Sequence, residues 1–417
     1  MQTDVPRIAV LMTLDSKFDV VRYIHRALVL SGAEPWVMDL SLRPHTHPQA
    51  EFTVHQPLDT PAMTSDDLAS KSRAEASEIM IQAGTDLLAE WFRTHKLAGA
   101  IGVGGANGST MACGMMRALP PMVPKAMVTP VAATAAVQWY VAQSDIVMFP
   151  TIGDISLNRI TRAILDNSAH AITSMGRAYA SRLSDASSTV PLVGVSTFGN
   201  LQVTVDHITA ALEEGGAEVI HFHASGPGGK SLESLTRAGE LQCLIDLTTS
   251  ELTDHITGGV YSAGAERMTA AAQTGIPQVV VPGCLDFSNW WVGEVPDRYH
   301  TREFYQYNQE ILLMRTNAEE FTMLGNLFVE RFASAAGPYK ILVPTRGFSQ
   351  MTEFATQDLS GSPVGRWRQP ECDKVFTTIL KQGLSSENIV ELDLHINDPT
   401  FADRAVAELK ALCPEIA

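Results

Sequence analysis

Leu97-Ala-Gly-Ala-Ile-Gly-Val103 runs directly into Gly104-Gly-Ala-Asn-Gly-Ser-Thr110. A short apolar run that ends in glycines and then takes up helical spacing is the signature of a strand, a tight turn and a helix start. Outward from it the same alternation repeats. On the N-terminal side, Arg7–Met12 and Glu34–Leu40 read as strands, with a helix over Phe18–Ser31 and a long helical stretch from Asp66 to Thr94. Leu42–Pro61, rich in His and Pro, reads as loop. On the C-terminal side come strands at Lys125–Thr129 and Ile146–Phe149 and a helix over Ser156–Arg182.

Ser184-Asp-Ala-Ser-Ser-Thr-Val-Pro191 is polar, Ser-rich and closed by Pro, and it reads as a linker. Beyond it the alternation restarts. Strands are expected at Leu192–Thr197, Glu218–Phe222, Cys243–Leu247, Gln278–Val281, Lys340–Val343 and Asn388–Leu394. Helices between them are expected at Val203–Glu214, Arg267–Gln273, Ala318–Ala336, Asp373–Gln382 and Pro399–Leu412. Strand–helix alternation on both sides of a linker predicts an α/β protein. Two Rossmann-like domains with mainly parallel sheets are expected, residues 1–187 and 188–417, with an interdomain cleft.

Composition narrows the function classes. An apolar share of 45% and a charged share of 18% are ordinary globular values and exclude disorder as the main organisation. Acidic residues number 46 against 30 basic ones, a net charge of −16. That argues against nucleic acid and anionic membranes as partners, and leaves room for a local basic pocket that takes one small anion. The 5 cysteines form no CxxC pair, so neither a zinc nor a disulfide framework is expected, and a reducing, cytoplasmic location follows. There is no apolar run long enough for a spanning helix, and the opening MQTDVPRIAVLM does not read as a secretion signal.

In open α/β sheets the ligand crevice lies at the carboxyl ends of the strands, so the residues just after each strand carry the information. After the first strand stand Asp15, Ser16 and Lys17, read either as a helix cap with a solvated Lys or as partners of a phosphate or carboxylate. The loop with Gly104, Gly105, Asn107, Gly108, Ser109 and Thr110 offers main-chain amides, a helix start and two hydroxyls to an anion; its alternative is a plain tight turn. A second loop, Ala224-Ser-Gly226-Pro-Gly228-Gly229-Lys230-Ser231, is one residue short of GxxxxGK[ST]. It is open to three readings: a P-loop, a looser anion-binding loop with Gly226, Gly228 and Gly229 on the substrate, or an inert turn. Asp246, Thr248, Thr249 and Glu251 follow another strand, either as caps or as base, Mg²⁺ ligand and substrate contacts. His221 and His223 share a strand face without a third ligand, so no zinc site is expected, and His223 becomes a candidate to line a crevice. Arg315 and Arg346 each follow an apolar run, fitted either to a carboxylate or phosphate or to a structural ion pair.

Six motifs in order resemble one family. They are Thr13-Leu-Asp-Ser-Lys17, Gly104–Thr110, Phe222-His-Ala-Ser-Gly226 with Gly228-Gly229, Asp246-Leu-Thr-Thr249, Pro282-Gly-Cys-Leu-Asp286 and Leu313-Met-Arg-Thr316. The family is the uncharacterised bacterial and fungal one that includes the ATP-binding, inhibitory N-terminal domain of the tobamovirus-resistance protein of tomato. The resemblance implies two Rossmann-like subdomains, an ATP-type ligand with Mg²⁺, and self-association into a homo-oligomer. The chain departs from the family pattern after Gly347-Phe-Ser349, where an insertion-like segment runs to Gln369.

Together these readings predict a nucleotide-binding protein. ATP phosphates are expected on the Gly104–Thr110 helix start with Lys17 as charge partner. The protein is expected to act as a metabolic enzyme on a small carboxylate or sugar acid, with Asp246, Glu251 and His223 as catalytic candidates. Two alternatives stand beside it: an ATP-regulated binding module without catalysis, and an ATP-independent lyase or hydrolase of a small acid.

Overall fold

The computed structural model describes residues 5–45, 51–58, 67–68, 70–95, 97–185 and 190–416. The chain divides into two compact units, Met1–Ser187 and Ser188–Ala417. Four of the linker residues expected between them, 186–189, lie outside the described residues, as does Asp66 at the start of the expected long helix.

The N-terminal unit is built on β1 (Arg7–Met12), β2 (Glu34–Asp39), β3 (Val54–His55), β4 (Leu97–Val103), β5 (Lys125–Thr129) and β6 (Ile146–Pro150). They form one parallel sheet in the order β3-β2-β1-β4-β5-β6. Val10 sits opposite Val37 on one side and Ile101 on the other. Period-two alternation sends Ile8, Val10 and Met12 to one face, against Val21, Ile24 and Leu28 of helix Leu14–Leu30 and Ile172 of helix Arg159–Asp185. Ala9 and Leu11 go to the other face, against Met80 and Leu88 of helix Arg73–His95 and Met111 of helix Ala106–Met116. Burying each Ile, Val, Leu or Met contributes about 1.5–3 kcal/mol, which is why the strands are apolar on both faces. Strand order reverses between β1 and β4, so their carboxyl ends flank a crevice.

The main sheet of the C-terminal unit uses β7 (Leu192–Thr197), β8 (Glu218–His223), β9 (Cys243–Thr248) and β10 (Gln278–Gly283). After β10 come β11 (Phe287–Trp291), β12 (Phe304–Gln306) and β13 (Ile311–Arg315), then β14 (Tyr339–Pro344), β15 (Ala355–Gln357), β16 (Pro363–Arg366) and β17 (Ile389–Leu392). The parallel sheet runs β17-β14-β10-β9-β7-β8, with its reversal between β7 and β9. The α/β expectation of mainly parallel sheets therefore holds in both units. The sequence reading has no counterpart for the third sheet, an antiparallel β11-β13-β12-β15-β16 contributed by the chain between β10 and β17. Among the described residues no helix is long and apolar enough to cross a membrane.

Candidate functional site

Two helix starts meet at the β1/β4 reversal, and they differ. The helix after β1 begins with amides that are already taken. Leu14 N donates to Asp39 Oδ1 at 3.1 Å and to Ser41 Oγ at 2.9 Å, and Asp15 N donates to Ser41 Oγ at 2.9 Å. Asp39 closes β2 with no exposed surface, so the positive end of this helix is met by the chain's own carboxylate.

The helix after β4 begins without such a partner. Gly105 is its N-cap and offers no side-chain acceptor. Among the described residues no acceptor meets the amides of Ala106, Asn107 or Gly108. Ser109 and Thr110 engage their hydroxyls on the helix backbone: Ser109 Oγ donates to Gly105 O at 2.9 Å and Thr110 Oγ1 to Ala106 O at 3.1 Å. Asn107 Oδ1 accepts from Ser77 Oγ at 3.2 Å, which fixes its amide. A Cβ on Gly104 would stand 3.0 Å from Gly108 Cα, so a side chain there would crowd the backbone of the turn. Gly105 and Gly108 are different: a Cβ on either meets nothing within 4 Å, because both face an open cleft.

That cleft has a volume of about 440 Å³. Asp15, Ser16 and Lys17 line one side of it and Gly105, Asn107 and Gly108 another. Lys17 sits at a kink in its helix (φ −133°, ψ 25°), and its Nζ donates to Ile155 O at 2.8 Å, which holds the ammonium in place. Three further cations line the cleft: Arg43 after β2, and Lys71 and Arg73 at the start of helix Arg73–His95. Sequence reasoning missed all three. Their signal is position, since Arg43 stands a few residues after a strand end, the same rule that singled out Lys17.

The C-terminal candidates are placed differently. Gly226 has φ +95°, the left-handed region that favours glycine, and opens helix Pro227–Arg237. Its loop does cradle an anion, and the anion is Glu251. Gly226 N and Gly229 N donate to Glu251 Oε1 at 2.7 and 3.0 Å. Glu251 Oε2 accepts from Arg267 Nε at 2.7 Å, and Arg267 makes a two-pronged contact with Asp246 at 2.6 Å on each arm. Glu233 lies 3.5 Å from the same guanidinium. Burial pushes the Glu251 carboxyl up, while Arg267 and the two amides pull it back down. Asp246 and Glu251, candidates for a base, are thus the anions of a buried ion network. Thr248 and Thr249 are buried beside it; Thr249 Oγ1 donates to Val281 O at 3.1 Å.

His223 stacks on Phe198, ring centroids 5.2 Å apart, and desolvation lowers its pKa. Arg315 is buried: its Nε donates to Trp367 O at 2.8 Å, its Nη1 to Thr316 O at 2.9 Å, and its Nη2 pairs with Asp373. Arg346 is exposed and pairs with Asp393 at 2.7 Å. Arg315 is thus engaged in a buried pair, and Arg346 in one on the surface. Among the described residues no group of three His, Cys, Asp or Glu is placed to hold a metal ion.

Models of two domains match this chain. The N-terminal domain of the uncharacterised protein family UPF0261 matches residues 6–181, and its C-terminal domain matches residues 190–413. A UPF0261 protein of Rhizobium meliloti (strain 1021) is 34% identical, covering 96% of this chain and 98% of that protein. One of Clostridium tetani is 32% identical over 95% of this chain and 96% of that protein. The ToMV susceptible protein tm-1 of Solanum lycopersicum is 27% identical over 99% of this chain but only 57% of its own length. With both domain models matched in order, the chain belongs to the uncharacterised family UPF0261.

Proposed function

We propose that the N-terminal unit binds a phosphate-bearing small molecule of the ATP type in the cleft at the β1/β4 reversal. The observation that carries this reading is the gathering of Lys17, Arg43, Lys71 and Arg73 around three unpartnered helix-start amides, in a chain of net charge −16. Amides and a helix dipole favour an anion, and cations converging from three segments suit a ligand with several charged oxygens. The cleft volume of about 440 Å³ falls within the range of about 300–1,000 Å³ of small-molecule pockets. Leu42, Leu68 and Ala76 give it an apolar wall for a base or sugar.

Its lining offers one carboxylate, Asp15, beside the hydroxyls of Thr13 and Ser16, which lie 3.4 Å apart. That donor set fits a Mg²⁺ held chiefly by phosphates and water, with one protein carboxylate in reach. When bound, the ion would neutralise phosphate charge. The chain's own residues bind the phosphates through Lys17 and the Ala106–Gly108 amides, and fixed cations at that point stabilise charge that develops on a phosphoryl group.

Titration of ATP and of inorganic triphosphate by calorimetry tests the reading. Gly108→Val places a side chain in the cleft at a position where a Cβ meets nothing within 4 Å. Binding is expected to weaken by at least about tenfold, some 1.4 kcal/mol, while thermal unfolding stays cooperative. Unchanged affinity in Gly108→Val and in Lys17→Ala would remove the proposal.

A further inference from the structure

A second cleft, of about 360 Å³, lies wholly within the C-terminal unit. It opens at the carboxyl end of β14, between Thr345 and helix Pro370–Gly383. Its lining is of mixed charge, with Lys374 and Lys381 beside Glu371, Asp373 and Glu391. Lys381 and Glu391 on its wall pair with each other. Asp373 is about four-fifths buried, and one of its oxygens is held by Arg315. Among the described residues nothing donates to the other oxygen. The Nε and Nη1 donors of Arg315 are fixed on Trp367 O, Thr316 O and Asp286 O, which holds the guanidinium in place. Beside Asp373, Thr377 is only 7% exposed, and no described residue partners its hydroxyl. A half-used carboxylate and an unpartnered hydroxyl side by side on the cleft wall suit a donor with several protons. Next along the helix is Lys374, for which no ion pair is found among the described residues. Val343, Phe348 and Pro370 supply an apolar wall.

We propose that this cleft binds a small zwitterion of the amino-acid class, its ammonium on Asp373 and Thr377 and its carboxylate on Lys374. An ammonium has three donors, enough for the free Asp373 oxygen and the Thr377 hydroxyl together. Lys374 is a compact charge on a long stem that can follow a carboxylate. The mixed charge of this wall disfavours a polyphosphate, which needs the cation excess of the N-terminal cleft.

The experiment uses the full chain. Ligand-observed NMR with a panel of L-amino acids finds the binders, and calorimetry ranks them against butylamine and butyrate, each of which carries one of the two charges. At least one amino acid is expected to bind, with both controls weaker by about tenfold or more. Lys374→Ala should remove the preference over butylamine. Thr378→Phe, on the exposed rim, should abolish amino-acid binding and leave triphosphate titration of the N-terminal cleft unchanged. Asp373→Asn should weaken the ammonium contact; should Arg315, left unpaired, unfold that variant, Thr378→Phe still decides. The proposal falls if no amino acid binds the wild-type chain, if butyrate binds as well as the amino acids, or if binding persists in both Lys374→Ala and Thr378→Phe.

Discussion

Two glycine-rich loops of similar composition end in different chemistry. Gly104–Gly108 and Gly226–Gly229 each follow a strand of a parallel sheet and open a helix. In the second, Glu251 reaches across from the next strand-to-helix junction and takes two of the amides. In the first, no described residue does so. The helix after β1 is a third case, its amides met by Asp39 and Ser41. Glycine marks a backbone that can approach an anion closely. Whether that anion is a ligand or a carboxylate of the same chain is settled elsewhere in the sequence, 22 to 25 residues away for Glu251.

The largest expected effect lies in the filled loop. Arg267 has 1% of its surface exposed and faces Asp246, Glu251 and Glu233. Arg267→Ala removes the cation that three buried carboxylates share, and the expected cost is about 3–5 kcal/mol. A fall in the urea midpoint at unchanged m-value measures it. A loss under 1 kcal/mol would mean that the network is not buried in solution.

A matched pair of small changes sharpens the contrast. A Cβ on Gly229 would lie 2.0 Å from Glu251 Oε2, whereas one on Gly108 meets nothing within 4 Å. Gly229→Ala is expected to destabilise by about 1–3 kcal/mol. Gly108→Ala is expected to be neutral or to stabilise by up to about 1 kcal/mol, since alanine loses less backbone entropy in a helix. Equal losses at both positions would show that the two loops are filled alike.

The sequence made β1, β4 and the loops after them legible because strand, turn and helix start are local patterns. The Asp15–Lys17 and Gly104–Gly108 segments were therefore found, and both line the same cleft. Arg43, Lys71 and Arg73 were not found. They reach that cleft only through the fold, and from sequence Leu42–Pro61 reads as loop, whereas Val54–His55 within it pairs with β2 as β3. The antiparallel sheet escaped for another reason: β12 and β15 are three residues long, too short for alternation to be seen. The partner of the Gly226 loop stays hidden because, from sequence, Glu251 reads as a cap, a base or a Mg²⁺ ligand, and its contact with that loop is made only by the fold.

The smallest expected effect separates the cations of the open loop from one another. Lys17 is half-buried and tethered to Ile155 O, so its charge is held at the cleft. Lys71 and Arg73 are exposed, and water screens them. Removing either is expected to cost about 0.2–1 kcal/mol of triphosphate binding, up to about fivefold in Kd. Their contribution should shrink as salt rises from low to physiological strength, because exposed charges are screened first. The Lys17→Ala loss should persist across that range. Calorimetry of the three single variants at two salt concentrations reads this directly. If Lys71→Ala and Arg73→Ala lose binding as steeply as Lys17→Ala, and do so independently of salt, then all three grip the ligand in a water-excluded site. The open loop would then close over its anion as fully as the Gly226 loop closes over Glu251.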